Sequence, residues 1–189
     1  MRKLLILVLM ISVGFLNAEN LIFASGSRTD LATLVQESQA VAIGTLINHT
    51  SYKSIKNMIF TEYKFKIEED IAGTIMSKEI SVVLPGGIYE GIGQHFSIVP
   101  EMRDNERALL FLTSIEDYVN TYTITNLRSG KFDLYTYETP DGILYDSVPF
   151  DYEYVEEYPG IQKFQRIKGH DEALVEDFKE VIKKLWSTK

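Results

Sequence analysis

The 189-residue chain contains no cysteine. This absence excludes disulfides, cysteine-ligated metal sites, a cysteine nucleophile and a lipid anchor attached through cysteine. Many small secreted domains depend on disulfides, but a domain of this length can be stable without them. The fold must therefore be held together by a hydrophobic core, and any chemistry must come from other side chains.

The common catalytic motifs are also missing. There is no Gly-x-Ser-x-Gly turn and no His-Glu-x-x-His helix, and the three histidines, His49, His95 and His170, are isolated from one another. The loop from Gly86 to Gly93 contains four glycines, but no helix with a lysine follows it, as a phosphate-binding loop requires. The acidic segments lack the spacing of a calcium loop. We therefore predict no cofactor, no metal site and no catalytic residue.

The charge balance is acidic, with a formal net charge of −8. Hydrophobic residues make up 45% of the chain and charged residues 24%, which is ordinary for one soluble globular domain. Nucleic acids and anionic lipids bind proteins through lysine and arginine. The composition therefore predicts no nucleic-acid partner.

The first 18 residues have the pattern of a signal peptide. Arg2 and Lys3 precede an apolar stretch from Leu4 to Leu16, and Ala18 is a plausible cleavage residue. The stretch is shorter than the about 20 apolar residues of a membrane-spanning helix, although an uncleaved anchor is the alternative. We predict a secreted or extracytoplasmic protein with a flexible N-terminus over residues 19–28 and no stable membrane insertion after cleavage of the leader.

The central part of the chain is predicted to form a β-domain over residues 29–136. In the run from Ile59 to Glu68, apolar and polar residues alternate, which is typical of a strand with one buried face. Phe60 is the exception, because it is an aromatic residue on the polar side. The remaining predicted strands are Val41–Ile47, Glu79–Leu84, Arg107–Leu112, Thr121–Thr125 and Lys131–Tyr135. Strands this short and closely spaced favour a small barrel or sandwich.

Two helices are predicted to flank the strands. A short helix near Leu31 has Ser27 or Thr29 as its cap. A C-terminal helix over residues 171–189 has Asp171 as its cap and packs on the barrel through the apolar stripe Leu174, Phe178, Val181 and Leu185.

Residues 137–170 form an acidic, aromatic excursion, with a short strand expected at Ile143 to Tyr145. Tyrosine supplies rigid, amphipathic contact area, so exposed tyrosines here are candidates for a binding surface. The candidate binding residues are Tyr135, Tyr137, Tyr145, Tyr152, Tyr154 and Tyr158.

Two motifs carry a resemblance. Val82-Val83-Leu84-Pro85-Gly86-Gly87 and Asn105-Glu106-Arg107-Ala108-Leu109-Leu110-Phe111-Leu112 resemble a pattern found in exported bacterial domains of mostly unassigned role. Asn105 stands where that pattern usually has glycine. The strand layout is also similar to the oligonucleotide/oligosaccharide-binding (OB) barrel of netrin-like and metalloproteinase-inhibitor domains, without their cysteines. The resemblance implies a mainly β fold, an OB-like barrel of about five to six antiparallel strands.

Three functions remain open at this point. The first is an exported, non-catalytic binding module for an extracellular protein or glycan. The second is a hydrolase of extracellular polymer that uses two carboxylates. The third is an inhibitor that presents the Gly86–Gly93 loop to an enzyme cleft, with Pro85, Gly86, Gly87, Gly91 and Gly93 as the loop residues.

Overall fold

The computed structural model describes residues 30–138, 142, 144–149, 164–167 and 170–189. The predicted leader, the predicted flexible N-terminus, Ser27, Thr29, Tyr152, Tyr154 and Tyr158 lie outside these residues. The described elements are α1 (Leu31–Glu37), β1 (Ala40–Lys53), β2 (Ile59–Gly73), β3 (Glu79–Pro85), β4 (Gly87–Tyr89), β5 (Ile92–Gln94), β6 (Arg107–Ser114), β7 (Thr121–Ile124), β8 (Lys131–Asp133), β9 (Tyr135–Glu138), β10 (Leu144–Pro149), β11 (Phe164–Ile167), β12 (His170–Leu174) and α2 (Val175–Trp186). The fold is mainly β, as predicted.

Five strands close into a barrel in the order β1-β2-β3-β7-β6, and pairing of β6 with β1 completes the ring. Four of the five pairings are antiparallel, but β3 and β7 are parallel, with Ser81 opposite Thr121. The predicted barrel is therefore confirmed, and one of its five pairings is parallel rather than antiparallel. In a closed ring with an odd number of strands, at least one neighbouring pair must run in the same direction. The closed barrel is compatible with the OB type.

The first two strands are longer than expected. Strand β1 continues as far as Lys53 and pairs with β2 along its length, whereas the sequence predicted a strand only from Val41 to Ile47. Three register shifts interrupt this pairing. Such bulges bend a strand and increase its twist. The bent β1 can therefore pair with β2 on one edge and with β6 on the other.

Two hydrophobic layers stabilise the molecule. The inside of the barrel is filled by inward-facing residues such as Phe65, Val82 and Leu110, and Ile98 and Met102 of the loop before β6 pack against them. The second layer lies between the outside of the barrel and the elements packed on it, namely α1, α2 and β10. Both layers are buried, so the outer elements belong to the same folded unit as the barrel.

Helix α1 begins with a side-chain cap. The Asp30 carboxylate accepts hydrogen bonds from the Thr33 backbone N–H at 2.8 Å and from the Thr33 hydroxyl at 2.9 Å. Asp30 is thus the cap, rather than Ser27 or Thr29. Leu31, Leu34 and Val35 are fully buried in the second layer.

Helix α2 packs on the barrel, as predicted, but it begins at Val175. Asp171 is not its cap, because residues 170–174 pair as strand β12 with β10 and β11. Phe178 is buried against Phe132, with ring centroids 5.4 Å apart. The Lys179 ammonium lies 2.7 Å from Glu69 of β2 and ties the helix to the barrel.

The excursion contains more regular structure than expected. Strands β9 to β12 form a second sheet in the order β11-β12-β10-β9. Its strand β10 runs from Leu144 to Pro149, whereas the sequence indicated only Ile143 to Tyr145. No described helix is long and apolar enough to cross a membrane.

Candidate functional site

The predicted tyrosines occupy the second sheet, as far as they are described. Tyr135 and Tyr137 lie on β9, and the backbone of Tyr145 lies opposite Tyr137 on β10. The Tyr135 side chain is 41% exposed. Tyr152, Tyr154 and Tyr158 are among the residues that the structure does not describe. The described tyrosines are therefore neighbours along one sheet edge, without a described pocket around them.

The glycine loop forms a small hairpin, β4–β5. Its turn residues Glu90 and Gly91 have φ angles of 49° and 78°, as a type I′ turn requires. The base of the hairpin is folded onto the barrel, because the Thr61 hydroxyl donates to the Gly86 carbonyl at 2.7 Å. Pro85 is buried, whereas Ile88 near the tip is 73% exposed. Only the tip projects, so the base of the loop is not free to enter an enzyme cleft.

A different cluster of aromatic residues lies on the outside of the barrel. Tyr52 on β1 and Phe60 on β2 are cross-strand neighbours, and their rings lie 6.1 Å apart at an angle of 22°. Tyr118, in the turn between β6 and β7, lies near enough to Tyr52 to act on its phenol electrostatically. Burial and the Glu62 carboxylate raise the pKa of the Tyr52 phenol, and the nearby Tyr118 phenol contributes in the same direction. We call Tyr52, Phe60 and Tyr118 the aromatic face.

Strand alternation places these side chains. On β2, Thr61 and Phe65 are buried in the barrel, so Phe60, Glu62 and Lys64 point outward. The polar neighbour of the aromatic pair is Glu62, whose carboxylate accepts a hydrogen bond from the Ser81 hydroxyl of β3 at 2.5 Å. The outer surface here therefore offers a ligand both the apolar faces of two aromatic rings and, beside them, a carboxylate that a hydrogen bond holds in position.

The turn that carries Tyr118 is firmly anchored. Asp117 and Asn120 adopt positive φ angles of 67° and 55°, which these two residue types tolerate better than most. The Tyr118 N–H donates to the Ile115 carbonyl at 3.2 Å, and the Ser81 N–H donates to the Asn120 carbonyl at 3.0 Å. The Tyr118 backbone is thereby fixed to β3, while its side chain is 41% exposed.

One described carboxyl group has a raised pKa. Burial raises the pKa of Glu106, and the repulsion from Asp133 adds to this effect, although Lys131 opposes it. The Glu106 carboxylate lies 3.1 Å from the Lys131 ammonium, and the two side chains are only 10% and 5% exposed. Because this carboxyl is enclosed and faces a lysine, it is poorly placed to protonate a polymer in solvent.

Arg107 binds two carboxylates from different sheets. Its guanidinium lies 2.9 Å from Glu68 of β2 and 3.0 Å from Asp146 of β10. Burial alone would raise the pKa of Glu68, but hydrogen bonds from Thr45 and Arg107 outweigh it and lower the pKa. Glu68 therefore stays charged, and this network joins the barrel to the second sheet. Among the described residues, no group of three His, Asp or Glu side chains could hold a metal ion.

Sequence reasoning missed the aromatic face, except for one signal. Phe60 broke the alternation of β2, although a single aromatic residue on the solvent side of a strand does not by itself indicate a contact surface. Tyr52 pairs with Phe60 across the β1–β2 hairpin, which was not predicted because β1 was expected to end at Ile47. Tyr118 gave no signal, because its distance from Phe60 in the sequence conceals their proximity in the barrel.

No protein-family model matches the chain, and no curated protein or solved structure matches it significantly.

Proposed function

We propose that this protein is an exported, non-catalytic binding module whose ligand site is the aromatic face. The observation that carries the proposal is the stacked pair of Tyr52 and Phe60 on the outer surface of the barrel, with the exposed Tyr118 of the β6–β7 turn near enough to Tyr52 to act on it electrostatically. Barrels of the OB type bind their ligands on the face of the second and third strands and on the adjoining loops. Tyr52, Phe60 and Tyr118 occupy this region. Export is supported by the leader-like residues 1–18.

The rigid support of the aromatic face favours binding. A surface side chain that must be ordered on binding costs affinity. Here Tyr52 is stacked against Phe60, and the Tyr118 backbone is hydrogen-bonded to its own turn. Aromatic side chains held in this way give large contact areas at low entropic cost.

The two other functions have less support in the described residues. A glycosidase needs one carboxyl that stays protonated near another that is charged, both facing the substrate. Glu106 has the raised pKa, but it is enclosed with Lys131. An inhibitor needs a projecting loop, and here only the tip of the hairpin near Ile88 projects, while its Gly86 end is bonded to Thr61.

The proposal is tested by co-sedimentation of the exported protein with washed cell-surface material from the organism that produces it. We expect Tyr118→Ala to weaken binding by about tenfold, since truncation of a well-placed aromatic contact typically has an effect of this size. The matched control is Tyr135→Ala on β9, because both tyrosines are 41% exposed in the folded chain. Circular dichroism of both variants verifies that the fold is retained.

Three outcomes would contradict the proposal. Equal binding by the wild-type protein and Tyr118→Ala removes the aromatic face from consideration. Loss of binding only in Tyr135→Ala moves the site to the second sheet. Release of soluble sugar from the surface material during the incubation replaces the binding function with a hydrolase.

A further inference from the structure

Two lysines next to the aromatic face form no salt bridge with any residue that the structure describes, although Glu79 of β3 lies opposite Lys66 in the strand pairing. Acidic residues outnumber basic ones in this chain by 27 to 19, and several described basic groups are bound to carboxylates, among them Arg107, Lys131 and Lys179. Lys64 and Lys66 are exposed on the outer side of β2, and neither forms an ion pair within the described part of the chain. Their positive charge is therefore available to a ligand.

These lysines continue the line of the aromatic face. Phe60, Glu62, Lys64 and Lys66 are alternate residues of one strand, so they follow one another along its outer side. Alternate residues of a strand lie about 6.6 Å apart, which makes this row about 20 Å long. A row of that length fits an extended polymer better than a single small molecule.

We infer that the ligand is an acidic glycan, a chain of sugar rings that carries carboxylate or phosphodiester groups. This inference rests on the proposed function of the aromatic face. The apolar faces of sugar rings pack on Tyr52 and Phe60, and the Glu62 carboxylate accepts hydrogen bonds from sugar hydroxyls. Lys64 and Lys66 bind the anionic groups further along the strand.

The net charge of −8 does not prevent this binding. At physiological ionic strength, charges separated by more than about 8 Å are largely screened from one another at a protein surface. The charges close to the ligand therefore decide its affinity. Glu62, beside the aromatic pair, repels any anionic group close to it, so the anionic groups of the ligand bind beside Lys64 and Lys66 rather than beside the aromatic pair.

The test uses four soluble probes: a galacturonate hexamer, a glycerol-phosphate hexamer, a neutral galactose hexamer and a thymidine hexanucleotide. The galacturonate and galactose hexamers differ in their carboxylate groups, and the glycerol-phosphate hexamer identifies phosphodiester binding. Binding is followed by amide chemical shifts in NMR spectra of the whole exported protein. We expect one of the two acidic hexamers to change the amide chemical shifts of residues in β2 and the β6–β7 turn. The affinity for this hexamer should fall by about tenfold when the salt concentration rises to about 0.5 M.

The key variant is Lys64→Gln with Lys66→Gln. Its matched control is Lys183→Gln with Lys184→Gln, which also removes two exposed lysines, at the far end of α2. We expect about tenfold weaker binding of the acidic hexamer in the first variant and no change in the control. Sedimentation with cell-surface material should likewise be weaker for the Lys64→Gln, Lys66→Gln variant and unchanged for the control.

Several results would overturn the inference. The first is that the galactose hexamer or the hexanucleotide binds more tightly than both acidic hexamers. The second is that neither acidic hexamer changes any amide chemical shift. The third is that the two lysine variants lose the same amount of affinity. If sedimentation still requires Tyr118 but is insensitive to salt and to the loss of Lys64 and Lys66, the ligand is not acidic and the proposed function stands. If Tyr118→Ala sediments normally, the proposed function itself fails.

Discussion

Replacement of Gly87 by alanine tests how the glycine hairpin is seated on the barrel. A Cβ at position 87 would lie 2.1 Å from the Thr61 hydroxyl and 2.6 Å from the Ser51 hydroxyl, and the φ angle of Gly87 is 122°. A residue other than glycine in this backbone region costs about 1–3 kcal/mol. The new methyl group also displaces hydroxyls that bond to each other at 2.9 Å and to the Gly86 carbonyl at 2.7 Å. Each lost hydrogen bond costs about 1 kcal/mol.

The sum is a loss of about 3–5 kcal/mol in the free energy of unfolding. Gly91→Ala is the matched control, because this glycine belongs to the same hairpin and has a φ of 78°, but a Cβ there would meet no atom within 4 Å. Only the left-handed backbone penalty of about 1–2 kcal/mol applies to the control.

Equilibrium unfolding in urea measures both variants. With a slope of about 2 kcal/mol per molar urea, the Gly87→Ala midpoint falls by about 2 M and the Gly91→Ala midpoint by less than about 1 M. Equal shifts would refute the argument, since they would show that the contacts of Gly87 with the two hydroxyls contribute nothing beyond backbone strain.

Three further predictions concern charge and packing. Because burial raises the pKa of Glu106, the folded state holds this proton more tightly than the unfolded state, so lowering the pH from neutral through the raised pKa increases stability. In urea titrations, the wild-type free energy of unfolding should therefore rise over this pH range relative to that of Glu106→Gln. Parallel plots of unfolding free energy against pH for the two proteins would contradict this prediction. Glu101→Gln, at an exposed position, is the control. Arg107→Gln should lower the free energy of unfolding in urea by about 1–2 kcal/mol, a value reduced because the guanidinium is partly exposed. Arg103→Gln, which breaks an exposed ion pair, should lower it by less than about 0.5 kcal/mol. A loss in Arg107→Gln no larger than in Arg103→Gln would contradict the role of that network. Phe178→Ala should cost about 3–5 kcal/mol by calorimetry or urea unfolding, and a loss below about 1 kcal/mol would show that α2 does not anchor on the barrel.

The strands were predictable because their information is local. Alternation from Ile59 to Glu68 identified β2 and its buried face, and the apolar run before Thr113 identified β6. A period of two arises from the backbone geometry of a single strand and needs no partner. Helix α2 was recognised by its stripe in the same way, but its start was placed at Asp171, because residues 170–174 have no local feature that reveals their pairing in the second sheet.

The parallel β3–β7 pair and the aromatic face could not be predicted in this manner. The parallel pair follows from closing a ring of five strands, which is a property of the whole barrel. Tyr52 and Phe60 are paired by the β1–β2 hairpin, whereas the β6–β7 turn with Tyr118 is brought near them only by the closure of the ring.

The amino-acid sequence by itself determined where the barrel strands β1, β2, β3, β6 and β7 lie and which face of β2 is buried, because both follow from local backbone geometry and side-chain polarity. The tertiary structure decided which outward-facing residues become neighbours, because their distances depend on long-range strand pairing. That is why the overall acidity of the chain gave no indication of Lys64 and Lys66 beside the aromatic face, which form no salt bridge with any described residue.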